Sequence, residues 1–127
     1  MSHRMPRLEE YIAGALLANS LGWLTIAIIP YILEYYGETI MSIAEILISI
    51  AYLISTVAAS YLVCRIAYRD KMKIGLTIGS TAILINMLFL ATMRGPPLIL
   101  LIELICAQVF GGILGAYIAE KKFPSTS

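Results

Sequence analysis

The chain has 127 residues, of which 60% are hydrophobic and 13% charged, with a formal net charge of +1, and its mean hydropathy is +0.87. Soluble domains carry roughly 45–50% apolar and about 25% charged residues, so this composition excludes an ordinary water-soluble core. A net charge of +1 gives no broad basic footprint, which argues against nucleic acid as a partner.

Charged residues divide the chain into apolar runs that can be compared with the roughly 20 residues a helix needs to cross about 30 Å of hydrocarbon. Tyr11 to Leu33 holds no charge, Thr39 to Cys64 only Glu45, Ile74 to Met93 none, and Gly95 to Ala119 only Glu103. Helices are expected in all four, because in hydrocarbon a helix satisfies its own backbone amides and carbonyls. The predicted fold is all-α: a polytopic four-transmembrane-helix bundle forming one domain over 1–127, with spans about 11–33, 39–64, 74–93 and 96–119. Tight turns are predicted at Gly37, at Arg69-Asp70-Lys71 and at Gly95-Pro96-Pro97. The first run is longer than the 7–15 apolar residues of a signal peptide and follows Glu9 and Glu10, so it is expected to remain in the mature protein.

Lysine and arginine flanking a span are retained on the cytoplasmic side. Arg4 and Arg7 precede the first helix. Arg65, Arg69, Lys71 and Lys73 join the second to the third, and Lys121 and Lys122 follow the fourth; of the nine basic residues only Arg94 lies opposite. Both termini are therefore expected to be cytoplasmic in a multi-pass protein of the cell membrane. Tyr31, Tyr35 and Tyr36 fall at one expected interface and Tyr11, Tyr61, Tyr68 and Tyr117 at the other, where rings with one wet edge prefer to sit.

Helix association in lipid comes from close packing and polar contacts, so stripes of small and polar residues mark inward faces. The fourth helix offers Glu103, Ala107, Gly111, Gly115 and Ala119; the third offers Gly75, Gly79, Ala82 and Asn86, with Gly75 and Gly79 as a GxxxG pair. The second offers Ser42, Glu45, Ser49, Tyr52, Thr56 and Ala59. The first offers Gly14, Ala18 or Asn19, Gly22 and Thr25. Gly75, Gly79, Ala107, Gly111 and Gly115 are read as helix-packing positions.

The candidate site is an intramembrane polar layer. Counted inward from the turns at about 1.5 Å per residue, Glu45 and Glu103 lie roughly 9–12 Å deep, and Asn86 reaches a similar depth. A carboxylate there is expected to face the interior, accept hydrogen bonds or hold a proton. A second layer of Asn19, Ser49 and Gln108, with Ser20, is expected near mid-depth. Gly37/Glu45 and Gly95/Glu103 also repeat at an offset of 58, which suggests two hairpins in parallel duplication.

Enzyme chemistry is not expected. Cys64 and Cys106 fall at opposite depths, too distant for a disulfide. His3 is the single histidine and sits in a terminal tail, so metal, haem and triad sites are not expected, and no cofactor is foreseen. The expected partners are the lipid bilayer and either copies of the chain or other membrane subunits. Two functions remain: a structural or accessory subunit of a membrane assembly, which the small-residue stripes favour, and a small oligomeric proton- or cation-coupled transporter or channel using Glu45 and Glu103.

Overall fold

A computed structural model of the chain describes residues 5–36, 41–67, 69–92 and 98–124. These form four helices: α1 (Leu8–Tyr36), α2 (Met41–Cys64), α3 (Lys71–Ala91) and α4 (Leu98–Lys122). There is no strand among the described residues. Each helix contains a stretch long and apolar enough to cross a membrane. The predicted turns at Gly37 and at Gly95-Pro96-Pro97 lie outside the described residues, as do Arg4, Arg94 and Tyr68.

Local chemistry sets the ends. The Arg7 backbone N–H donates to Glu10 Oε1 at 3.0 Å, half of a capping box that opens α1. That helix continues through Pro30, whose missing N–H leaves the Ile26 carbonyl without its ordinary partner. α3 begins after Asp70, which takes a left-handed conformation with φ 57°, one that aspartate tolerates better than most residues. It ends at Thr92, whose Oγ1 donates back to the Phe89 carbonyl at 2.6 Å.

Going round the bundle the order is α1, α2, α4, α3, with α2 and α3 also touching across the short diagonal, while α1 and α4 scarcely meet. The expected basic end, where α2 leads into α3, carries a cluster of Val63, Cys64, Ala67, Ile74, Ile78, Ala116 and Ala119. Alanines 15, 18, 59 and 82 fill the middle. Ile48, Tyr52, Leu90 and Leu104 fill the far end, with Trp23 and Phe89 packed against them. Outward faces are apolar: Leu88 is 73% exposed, Phe110 68% and Leu84 67%, which suits a hydrocarbon solvent and would be costly in water. Exposed hydroxyls are turned onto their own helices. Thr25 donates to the Leu21 carbonyl at 2.7 Å, and Thr77 to that of Lys73 at 2.8 Å.

The interior seams depend on glycine. A methyl built on Gly75 would strike the Gly112 carbonyl, and one on Gly112 would strike the Gly75 carbonyl; at Gly79 it would lie 2.8 Å from the Gln108 carbonyl. On the neighbouring face of α4, Gly111 meets Thr56 and Gly115 meets Ser60, with Cβ approaches of 2.8 and 2.7 Å. One helix thus presents two glycine faces, Gly112 to α3 and Gly111 with Gly115 to α2. The packing positions Gly75, Gly79, Gly111 and Gly115 all lie in the interior, and Ala107 is half-buried beside the far-end cluster.

The contacts also fix how the parallel helices are staggered. Gly111 lies against Thr56 and Leu53, and Gly115 against Ser60 and Val57, offsets of 55 and 58 residues, whereas α1 meets α3 at Asn19 with Ala82 and Trp23 with Asn86, each 63 apart. A parallel duplication about an axis along the helices requires one offset for both pairs. The α2–α4 contacts thus include the offset of 58, whereas the α1–α3 contacts lie five residues beyond it, so the packing carries the suggested repeat in one helix pair and not in the other.

Candidate functional site

At the far end Asn86 accepts two hydrogen bonds on one oxygen: Tyr52 Oη donates to Oδ1 at 2.7 Å and Trp23 Nε1 at 2.9 Å. Three helices meet at that atom. Trp23 also lies over Phe89, with ring centroids 4.7 Å apart and planes tilted by 34°, a geometry in the favourable range for aromatic pairs. The Tyr52 ring occupies the space left by the missing side chain of Gly22, which is how a fully buried tyrosine fits between α1 and α3.

One layer deeper, Gln108 Nε2 donates to Asn19 Oδ1 at 2.6 Å. Asn19 Nδ2 donates to the Ala82 carbonyl at 3.1 Å and to that of Ala15 at 3.2 Å. Both side chains are buried. The Gln108–Asn19 bond spans the long diagonal, joining the two helices that otherwise hardly touch. Replacing Gln108 by leucine is expected to destabilise the bundle by about 1–2 kcal/mol, read as a lower denaturant midpoint in detergent micelles; an unchanged midpoint would show that this diagonal carries no load.

Hydroxyls continue the network toward the basic end. Thr56 Oγ1 donates to the Tyr52 carbonyl at 2.7 Å, Ser55 to the Leu17 carbonyl, and Ser60 to the Gly112 carbonyl at 2.6 Å. At the base, the Lys71 side chain is 1% exposed and its Nζ lies 3.8 Å from Glu120 Oε2. Cys64 Sγ donates to the Lys71 carbonyl at 3.3 Å. Among the described residues, no buried side-chain nitrogen or oxygen lacks a hydrogen-bond partner.

The expected layer of Glu45, Asn86 and Glu103 is not brought together as one hydrogen-bonded unit. Asn86 is buried, Glu45 half-buried and Glu103 exposed on the outside of the α2–α4 seam. Helical geometry accounts for the difference. The third helix's stripe steps by four, three and four residues, close to 3.6, and stays on one face; the fourth helix's stripe steps always by four and drifts about 40° each time. Over the four steps from Ala119 back to Glu103 the drift reaches about 160°, which turns the carboxylate outward. In depth the two carboxylates are close: the α2–α4 offsets of 55 and 58 set Glu103 between the levels of Ile48 and Glu45, and the helices begin at Met41 and Leu98, which leaves Glu45 about 6 Å and Glu103 about 8 Å into them.

Of the expected second layer, Asn19 and Gln108 are joined and Ser49 stands apart. Ser49 Oγ lies 3.2 Å from both Glu103 Oε2 and the Glu45 carbonyl, so one hydroxyl proton faces two acceptors. Ser20, on the outer edge of the α1–α2 seam, bonds to the Leu17 carbonyl at 2.7 Å. Cys64 is buried and Cys106 exposed, both free. Sequence reasoning missed Trp23 as a member of the Asn86 cluster and Lys71 as a buried residue. The first was signalled by Trp23 lying four residues after Asn19, on the same face of α1. The second had no signal apart from Glu120 near the basic end of α4.

No group of three or more potential metal-ligating histidine, cysteine or acidic residues occurs among the described residues. Fold and site define a class: an all-helical chain of four apolar, membrane-length helices bound by an internal polar ladder. No protein family, curated protein or solved structure matches the chain.

Proposed function

We propose that this chain is a multi-pass protein of the cell membrane, with both termini cytoplasmic, acting as a structural or accessory subunit of a larger membrane assembly. The observation that supports this reading is the way the polar groups are used. Those inside the bundle hold the four helices to one another, with no buried side-chain polar atom left over among the described residues, while the Glu103 carboxylate is turned to the outer face. A coupled transporter using Glu45 and Glu103 needs a pathway past both, whereas here they sit on the edge of a seam closed by glycine contacts.

Isolation from native membranes in mild detergent tests the proposal. Unrelated membrane subunits at fixed stoichiometry support it. A homo-oligomer whose proton or cation flux in liposomes is abolished by Glu45→Gln with Glu103→Gln overturns it. The orientation has its own test: reporter fusions at Gly37 and Gly95 are expected to read external and one at Lys71 cytoplasmic, and the reverse pattern would invert the topology.

A further inference from the structure

The outer face of the α2–α4 seam carries two shallow grooves that meet at Leu53. One, of about 510 Å³, is lined by residues that include Ser49, Glu103, Cys106 and Phe110. The other, of about 480 Å³, runs on past Val57 and Leu114 to Tyr61 and Lys122. Together they extend from Ile102 to Lys122, about 30 Å of helix. That is the thickness of the hydrocarbon region, whereas one acyl chain covers a single leaflet. The lining is almost wholly apolar apart from Ser49 and Glu103 at one end and Lys122 at the other.

We infer that this seam receives one transmembrane helix of a partner protein, which carries a lysine or arginine at the depth of Glu103. The inference rests on the accessory-subunit reading and gives it a surface. A carboxylate facing hydrocarbon is expensive, and among the described residues the hydrogen-bond partner of Glu103 is Ser49, whose single proton also faces the Glu45 carbonyl. A cation delivered on an incoming helix supplies what the groove lacks, and the apolar remainder gives that helix a continuous bed. A second copy of this chain does not provide it. Its four apolar runs contain no lysine or arginine. Two copies related by a parallel two-fold axis at this face would set Glu103 against Glu103.

The test uses the full chain in phosphatidylcholine vesicles with a labelled leucine- and alanine-rich transmembrane peptide. One form bears a single lysine about one and a half turns from the end that lies at the α4 start, and a control bears none. The lysine peptide is expected to associate about tenfold more tightly than the control by energy transfer, and Glu103→Gln is expected to remove that difference while leaving control binding unchanged. Cys106→Trp, which fills the groove from an exposed position, is expected to weaken both peptides. Equal binding of the two peptides, or a lysine preference that survives Glu103→Gln, overturns the inference. So does efficient Cys106–Cys106 crosslinking of the wild-type chain in vesicles, which would assign the face to a second copy. Because the peptide is defined, failure here leaves the accessory role to be decided by what co-purifies.

Discussion

Gly112→Leu is expected to destabilise the bundle by about 3 kcal/mol, the largest effect of any single substitution proposed for this chain. Gly75 and Gly112 face each other with no side chain between them, and a methyl on either meets the other's carbonyl oxygen. The Gly112 carbonyl also accepts the Ser60 hydroxyl at 2.6 Å, so the site where α3 touches α4 is also where α2 is tied to α4. A leucine must push α3 away from α4, because its side chain meets the backbone of Gly75 and Gly79. In lipid the apolar core supplies no compensating drive, because the separated faces meet acyl chains as apolar as themselves. Denaturant unfolding in micelles, followed by energy transfer between labels on α3 and α4, should show a lower midpoint and greater separation. Gly112→Ala is expected to fall between leucine and wild type. Leu84→Ala, on an exposed face, should stay within about 0.5 kcal/mol. A Gly112→Leu protein as stable as the Leu84→Ala control would mean that the α3–α4 seam does not exist.

The number of helices was legible from the sequence because apolar runs of membrane length with at most one charge each are best satisfied in hydrocarbon as helices. Their bounds shifted by a few residues, since an end depends on capping contacts such as Arg7 with Glu10 that hydropathy does not see. The inward faces were legible where spacing averages near 3.6, as for Gly75, Gly79, Ala82 and Asn86, all buried. They were misread where a strict every-fourth repeat was followed from Ala119 as far as Glu103. The polar layer could not be assembled from depth alone. Depth ignores which way a side chain faces: Glu103 is exposed on the outside of the α2–α4 seam, whereas Asn86 is buried. The partners of Asn86 were hidden for a related reason: Trp23 and Tyr52 reach it from two different helices across a gap that only Gly22 makes possible.

Asn86 is the second position where one substitution should act strongly, and it carries its own optical probe, since Trp23 is the single tryptophan in the chain. Asn86→Leu removes the acceptor shared by the Trp23 indole N–H and the Tyr52 hydroxyl and leaves both donors without it in a site where water does not substitute. Hydrogen bonds between membrane helices average about 0.6 kcal/mol and reach about 1.7, and a stranded buried donor adds to the loss, so about 2 kcal/mol is expected. The tryptophan emission should shift to shorter wavelength as the indole loses its polar partner. Tyr52→Phe alone should cost about 1 kcal/mol. Added to Asn86→Leu it should cost almost nothing more, because the hydroxyl it deletes has already lost its acceptor. A double-mutant cycle therefore returns a coupling near 1 kcal/mol if the bond is formed. Strict additivity, together with an unshifted emission spectrum, would place Asn86 away from Trp23 and Tyr52, and the far end of the bundle would then have to be held by the Trp23–Phe89 stack and aliphatic packing alone.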